Sequence, residues 1–120
     1  MYEISKMFKF SAAHHLGGLP VGHQCGRVHG HNYTVTVTLL SSALDVTGFV
    51  VDYGDLAPIK RMIDAGYDHR DLNDRLAQPT AENLARQFFD DIASLGEPWC
   101  GLLHRVTVSE TDTTTATYYP

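Results

Sequence analysis

The segment CGRVHGHNY, residues 25–33, places one cysteine and two histidines within seven positions, directly before a stretch of β-strand character. Thiolate and imidazole are preferred zinc ligands, and a thiolate can also act as a base or nucleophile. His29 and His31 are two residues apart, so on a strand both side chains point to one face, about 6–7 Å apart along it. The spacing favours a shared metal ion and leaves open whether Cys25 is a ligand or a free thiol.

Strand alternation also nominates a third histidine. His14 continues the phase of Phe8, Phe10 and Ala12, whereas His15 falls on the opposite side. A bulge before His15 would reverse this choice. Three histidines with an open fourth position are typical of catalytic zinc, and an added cysteine is typical of a structural site. Iron, copper and nickel also accept imidazole, so zinc is the preferred candidate among several metals.

The distribution of histidines strengthens the metal hypothesis. An isolated His-x-His pair is more often a hydrogen-bonded, partly buried pair than a metal site. Here five of the seven histidines lie in the first third of the chain, so the metal interpretation is favoured. Cys25 lies in a polar, glycine-containing segment beside His23 and Arg27, and cationic neighbours favour a reactive thiolate. Cys100, beside Trp99, is instead interpreted as a small apolar residue.

Length and composition predict one globular domain over residues 1–120. Hydrophobic residues make up 43% of the chain and charged residues 19%, which argues against disorder. The net charge of −5, with nine scattered Lys and Arg, makes nucleic-acid binding improbable. We expect no signal peptide and no membrane-spanning segment, since no apolar run is long enough. A cytoplasmic location with reduced cysteines follows as an expectation.

Apolar periodicity predicts an α+β fold with the element order ββααββ. Alternating residues indicate strands near 4–12 and 31–40, and a terminal hairpin of 103–110 and 113–119. Helical spacing between them indicates two helices. The apolar positions of these helices are Leu56, Ile59 and Ile63, then Leu84, Phe88, Ile92 and Leu95. The polar segment 67–78 between the helices is long for a connection, which is typical of functional loops.

Three further residues, Thr80, Glu82 and Glu110, have side chains that could bind a ligand. Thr80 occupies an N-cap position after Pro79, with Glu82 in the first turn of the second helix. Glu110 ends an apolar stripe of the predicted third strand, where an unpaired buried carboxylate would be costly. Without further information a surface position for Glu110 is equally expected. A small anionic substrate is compatible with the acidic composition, since a few basic groups suffice to bind it. Charge alone nominates Lys9, His23, Arg27 and Arg70, and a solvated surface role is at least as expected for each.

Six separated blocks of the chain resemble the family of 6-pyruvoyl- and 6-carboxy-tetrahydropterin synthases, which adopt the tunnelling fold (T-fold). The resemblance covers nearly the whole chain, with the blocks in the same order and spacing. The blocks are FSAAHHL, CGRVHGHNY, DVTGFVVDYGDL, YDHRDLND, PTAENLA and SETDTTTATYY. The resemblance implies a four-stranded antiparallel sheet with two helices on one face, which oligomerises into a barrel.

The resemblance also assigns roles to residues. It implies that His14, His29 and His31 hold Zn²⁺ and that Cys25 is the general base. The pair Asp68 and His69 would handle protons. Glu110 would anchor the pterin ring, assisted by Thr80 and Glu82. The family assembles as a hexamer of two stacked trimers with active sites at subunit interfaces, so Asp68 and His69 are expected to serve a neighbour's Cys25.

The three-residue spacer between Cys25 and the His-Gly-His motif is similar to that of the carboxy-forming branch. That resemblance implies conversion of 7,8-dihydroneopterin triphosphate to 6-carboxy-5,6,7,8-tetrahydropterin, with release of acetaldehyde and triphosphate, in 7-deazapurine (queuosine-type) biosynthesis. Gln24 and Ala81 differ from residues that are common in the family, and both lie near the expected site. These differences bear on which product the enzyme forms. The alternatives are a 6-pyruvoyltetrahydropterin synthase or related pterin side-chain lyase, and a non-catalytic zinc-binding oligomeric protein.

Overall fold

Alternating apolar and polar residues form two long antiparallel strands at the start of the chain. In the computed structural model, which describes residues 1–120, these are β1 (Tyr2–His14) and β2 (His29–Ser41). Their register is continuous from Tyr2 opposite Ser41 to His14 opposite His29. One face of this pair carries most of the buried apolar side chains, and the opposite face carries mainly polar, charged or small side chains.

A C-terminal hairpin completes the sheet. Strands β3 (Leu103–Thr111) and β4 (Thr114–Tyr118) extend it to the order β1-β2-β3-β4, with every neighbouring pair antiparallel. The sequence predicted the turn at residues 111–112, whereas the structure has it at 112–113. A register shift after Val108 accounts for this difference, and the Ser109 hydroxyl contacts the Thr111 and Thr114 carbonyls within the distorted turn.

Two helices pack on the apolar face of the sheet. Helix α1 (Ala57–Gly66) follows a 3₁₀ turn, Tyr53–Leu56, in which the Asp52 side chain accepts a hydrogen bond from Gly54 N–H. Helix α2 (Ala81–Ala93) begins at Thr80, whose hydroxyl caps Asn83 N–H at 3.1 Å. The predicted N-cap and the order ββααββ are therefore confirmed.

Nineteen buried apolar residues form one core between the sheet and the helices. Of the predicted helix positions, Ile59, Ile63, Leu84, Phe88 and Ile92 are fully buried in α1 and α2. Leu56 is also buried but lies in the preceding 3₁₀ turn, and Leu95 lies beyond the end of α2 and is partly buried. The predicted antiparallel sheet with two helices on one face is thus confirmed, while assembly into a barrel stays a prediction. None of the helices combines the length and apolar character needed to cross a membrane.

A matched pair of valines tests this core. Val35 lies on β2 with no exposed surface, whereas Val46 lies in a turn and is fully exposed. We expect Val35→Ala to lower the free energy of unfolding by about 2–3 kcal/mol, because it removes buried methyl groups and leaves a cavity. Val46→Ala should change it by less than about 0.5 kcal/mol. Chemical denaturation of both variants measures the difference, and equal effects would contradict the assigned core.

Candidate active site

Three histidines meet where β1 ends and β2 begins. His14 pairs across the sheet with His29, and Ala12 pairs with His31, so all three imidazoles lie on the helix-facing side. One ring nitrogen from each lies within 4.8 Å of the others. His14 Nε2 and His29 Nε2 are 2.9 Å apart. The structure therefore brings His14, His29 and His31 into one cluster, which we call the three-histidine cluster.

Backbone carbonyls set the orientation of two of these rings. His14 Nδ1 lies 2.8 Å from the Pro79 carbonyl, and His29 Nδ1 lies 2.6 Å from the Arg27 carbonyl. A carbonyl only accepts hydrogen bonds, so each Nδ1 carries a hydrogen, and in a neutral ring Nε2 then holds a lone pair. Two lone pairs facing each other across 2.9 Å repel unless a metal ion or a proton lies between them. Such carbonyl partners are typical of metal-binding histidines.

The third ring distinguishes a metal ion from a proton. His31 Nε2 is buried and has no hydrogen-bond partner, and the nearest carboxylate oxygen, Glu110 Oε2, is 3.9 Å away. Burial lowers the pKa of His31, which Glu110 opposes and the neighbouring His14 and His29 reinforce. A shared proton could satisfy His14 and His29 but not this third nitrogen. Three neutral imidazole nitrogens fit a transition-metal ion with a further coordination position open.

The neighbouring histidine lies apart from this cluster. His15 N–H and carbonyl both bond the Asn73 side chain, and its Nε2 lies 3.5 Å from the same amide. Register is continuous through His14, so no bulge intervenes. Alternation of the strand therefore places His14, and not His15, with the other two imidazoles.

Cys25 lies outside the group of metal-ligating atoms. It occupies a 3₁₀ turn, Gln24–Gly26, and is partly buried with a free thiol. Its N–H donates to His23 Nδ1 at 3.1 Å, and its carbonyl accepts from Leu16 N–H at 2.9 Å. Cys100 packs against the core, with its thiol 3.3 Å from the Ile92 carbonyl. The geometry leaves Cys25 available for chemistry other than metal binding.

Asp68 and His69 form a hydrogen-bonded pair at the start of the 67–78 loop. Asp68 Oδ1 accepts from His69 Nδ1 at 2.9 Å and from Ser11 N–H at 3.0 Å. The Ser11 N–H, and after it the His69 ring, lower the pKa of Asp68. His69 has φ of +58°, which is unusual for a residue with a Cβ, and its side chain is 82% exposed. Its backbone is fixed while its imidazole faces outward.

A cleft of about 590 Å³ is lined by His31 of the cluster and by His69 and Arg70 of the loop. Asp68 lines a separate hollow with Ser11 and Tyr33. Another, smaller hollow of about 380 Å³ is lined by Glu82 and Glu110. The Thr80 hydroxyl caps the N-terminus of α2 by accepting a hydrogen bond from Asn83 N–H. Of the basic residues nominated by charge, Arg70 lines the same cleft as His31 and His69, and the His23 ring accepts a hydrogen bond from Cys25 N–H.

Sequence reasoning missed the residues that support the cluster. The carbonyls of Arg27 and Pro79 carry no side-chain signature, so periodicity could not find them. Tyr33 was identified only as an apolar strand position, yet its buried hydroxyl lies 3.2 Å from His14 Nδ1. Burial raises the pKa of Tyr33, so this phenol stays neutral. The amides of Asn73 and Gln78 were likewise missed, and a polar loop gives no local sign of which backbone it will bond.

Known proteins resemble this chain over its full length. A family model described as 6-pyruvoyl tetrahydropterin synthase matches residues 3–120. The chain is 34% identical to the 6-carboxy-5,6,7,8-tetrahydropterin synthase of Bacillus subtilis strain 168, covering 99% of this chain and 86% of that relative. It is 29% identical to human 6-pyruvoyl tetrahydrobiopterin synthase, covering 97% and 90%. The structure of Caenorhabditis elegans 6-pyruvoyl tetrahydropterin synthase superposes with a TM-score of 0.87 at 27% identity, covering 99% and 95%.

The adjacent histidines 14 and 15 provide a matched test of the cluster. We expect His14→Ala to weaken metal binding at least about 100-fold, since loss of an outer hydrogen-bond partner alone costs about 10- to 100-fold. His15→Ala should retain one metal ion per chain, because its ring is not in the cluster. Metal content after dialysis and competition with a chelator measure both. Equal loss in the two variants, with folding intact by circular dichroism, would contradict the assignment.

Proposed function

The chain belongs to the 6-pyruvoyl tetrahydropterin synthase family, and we propose that it is a zinc-dependent 6-carboxytetrahydropterin synthase. In this proposal it converts 7,8-dihydroneopterin triphosphate to 6-carboxy-5,6,7,8-tetrahydropterin and releases acetaldehyde and triphosphate. It would act in the cytoplasm, in 7-deazapurine (queuosine-type) biosynthesis. The name and 34% identity of the Bacillus subtilis relative support the carboxy product, as does the three-residue spacer between Cys25 and His29.

The observation that carries the proposal is the separation of Cys25 from the three-histidine cluster. His14, His29 and His31 direct three nitrogens to one point without using the thiol. A structural zinc site would normally close its fourth position with a protein ligand such as this cysteine. Three histidine ligands would leave a coordination position open, and the free thiol of Cys25 would be available as a proton acceptor.

The roles of the residues follow from their chemistry. His14, His29 and His31 would hold zinc, which when bound supplies Lewis-acid stabilisation of negative charge on substrate oxygens. Cys25 would remove a carbon-bound proton of the pterin side chain, as a thiolate base can. His69, oriented by Asp68 at 2.9 Å, would hold and return protons.

Glu110 would bind the pterin ring. Its carboxylate is partly buried beside His31 and can accept two hydrogen bonds from the guanidine-like edge of a pterin. Glu82 lines the same hollow at the start of α2 and would assist, and Thr80 would contribute through the N-terminus of that helix.

We further propose that the active sites form between subunits of a hexamer built from two trimers. His69 presents its imidazole outward, 82% exposed, while its backbone is bound to β1. Such a side chain is suited to reach the Cys25 of a neighbouring subunit. In this assembly Asp68 and His69 complete a partner's site.

A pyruvoyl-forming activity is the second candidate. The similarity to the Caenorhabditis elegans and human proteins named as pyruvoyl-forming synthases favours it. Ala81 and Gln24 differ from common family residues near the site and bear on this choice. A non-catalytic zinc protein is the candidate from another class, and the position of Cys25 outside the ligand group counts against it.

Replacing Cys25 tests its role. We expect Cys25→Ala to retain stoichiometric metal, because the thiol is not among the ligating atoms, and to lower turnover by about 10²- to 10⁴-fold, the usual contribution of a general base. Cys100→Ala is the matched control and should keep near-normal turnover, because its thiol packs against the core. Loss of metal in Cys25→Ala would show that the cysteine is a ligand and would overturn the catalytic proposal.

Product identification decides between the two enzyme candidates. The zinc-loaded protein is incubated with 7,8-dihydroneopterin triphosphate and the products are separated by mass spectrometry. Acetaldehyde together with 6-carboxytetrahydropterin is the expected result. A product that retains a three-carbon dioxo side chain would favour the pyruvoyl-forming activity, and the absence of turnover with bound zinc would favour the non-catalytic role.

A further inference from the structure

The 67–78 loop binds the free edge of β1 at alternate residues. His69 N–H donates to the Ser11 carbonyl at 2.6 Å, and Ala13 N–H donates to the Arg70 carbonyl at 3.0 Å. Ala13 and Asp71 form a parallel bridge. The loop therefore pairs with β1 as a short strand would, and this pairing stops where β1 ends at His14.

Two side-chain amides continue the same alternation beyond the end of the strand. Asn73 Oδ1 accepts from His15 N–H at 2.9 Å, and Asn73 Nδ2 donates to the His15 carbonyl at 3.0 Å. Gln78 Oε1 accepts from Gly17 N–H at 2.9 Å, and Gln78 Nε2 donates to the Gly17 carbonyl at 2.9 Å. A carboxamide carries the same donor and acceptor as a peptide group, so each amide replaces a strand partner. We call these two contacts the amide clamps.

The residue between the clamps is bonded to Cys25. Leu16 N–H donates to the Cys25 carbonyl at 2.9 Å, and Leu16 is flanked by the two clamped residues. From this arrangement we infer that Asn73 and Gln78 are positioning residues that hold the Cys25 turn in place relative to the three-histidine cluster. The inference rests on the proposed function for the role of Cys25, and it extends that function to two residues that touch no reacting atom.

A purely stabilising role would have different consequences. Gly17 is exposed, so water can replace the hydrogen bonds of Gln78, and removing this clamp should cost little folding stability. The segment between His14 and His29 has only one short 3₁₀ turn, so without the clamps its conformation is weakly determined. Loss of the clamps should therefore displace the thiol more than it destabilises the fold.

The test compares the double variant Asn73→Ala/Gln78→Ala with Gln87→Ala, which removes an amide bonded to Asp91 on α2. The metal-loaded proteins are treated with iodoacetamide, and alkylation of Cys25 is measured relative to Cys100 in the same molecule by mass spectrometry. We expect the ratio to rise at least about threefold in the double variant, because the Cys25 turn opens to solvent more often when the clamps are absent. Gln87→Ala should leave the ratio unchanged.

Kinetics provide the second readout. In the double variant we expect kcat with 7,8-dihydroneopterin triphosphate to fall about tenfold while KM changes less than about twofold, because misplacing a reacting group affects the chemical step. Metal content should be unchanged. An unchanged alkylation ratio, or loss of metal from the double variant, would overturn the inference, since the clamps would then act on overall stability or on the metal site.

If the alanine double variant does not fold, Asn73→Asp/Gln78→Glu is used, because it preserves size and the accepting oxygens, while each carboxylate lacks the amide donor and carries a negative charge. If the unmodified protein binds metal but does not turn over the pterin substrate, the proposed function fails while the alkylation ratio still decides the role of the clamps.

Discussion

The close approach of three imidazole nitrogens is the constraint on which the site depends. His14 and His29 direct Nε2 atoms at each other across 2.9 Å, and His31 adds a buried nitrogen without a partner. Without a bound cation this arrangement would be unfavourable, since buried polar atoms normally have hydrogen-bond partners. The surrounding chain maintains it through strand register on one side and through the carbonyls of Pro79 and Arg27 on the other.

That constraint explains why the elements meet as they do. The antiparallel register of β1 and β2 places the end of one beside the start of the other, so His14 lies opposite His29 although they are 15 positions apart in the chain. The connection before α2 then has two functions. Its Pro79 carbonyl orients His14, while the next residue, Thr80, caps the helix. Helix position and ring orientation are thereby coupled through one peptide segment.

The features predictable from sequence were those governed by local periodicity. Alternation identified the strands and placed His14 rather than His15 on the face of His29 and His31, and helical spacing identified the buried residues of α1 and α2. The turn of the final hairpin was misplaced by one residue because a register shift after Val108 has no sequence signature. Contacts between the 67–78 loop and β1 could not be predicted either, since backbone groups and amides bond the same way wherever the fold brings them together.

The single edge of β1 organises both candidate proton-transfer groups. Ser11 and Ala13 bind the loop that carries His69, while His15 and Gly17 lead into the turn that carries Cys25. The strand that supplies His14 to the cluster thus also determines where the two loops begin. Side chains at the ends of paired strands have little conformational freedom, whereas side chains on loops can adjust to a ligand. Because both loops are bonded to the same strand, either loop can adjust while the three-histidine cluster stays fixed. In the proposed assembly, the orientation in which His69 reaches a neighbouring subunit would be set by the β1 strand of its own subunit.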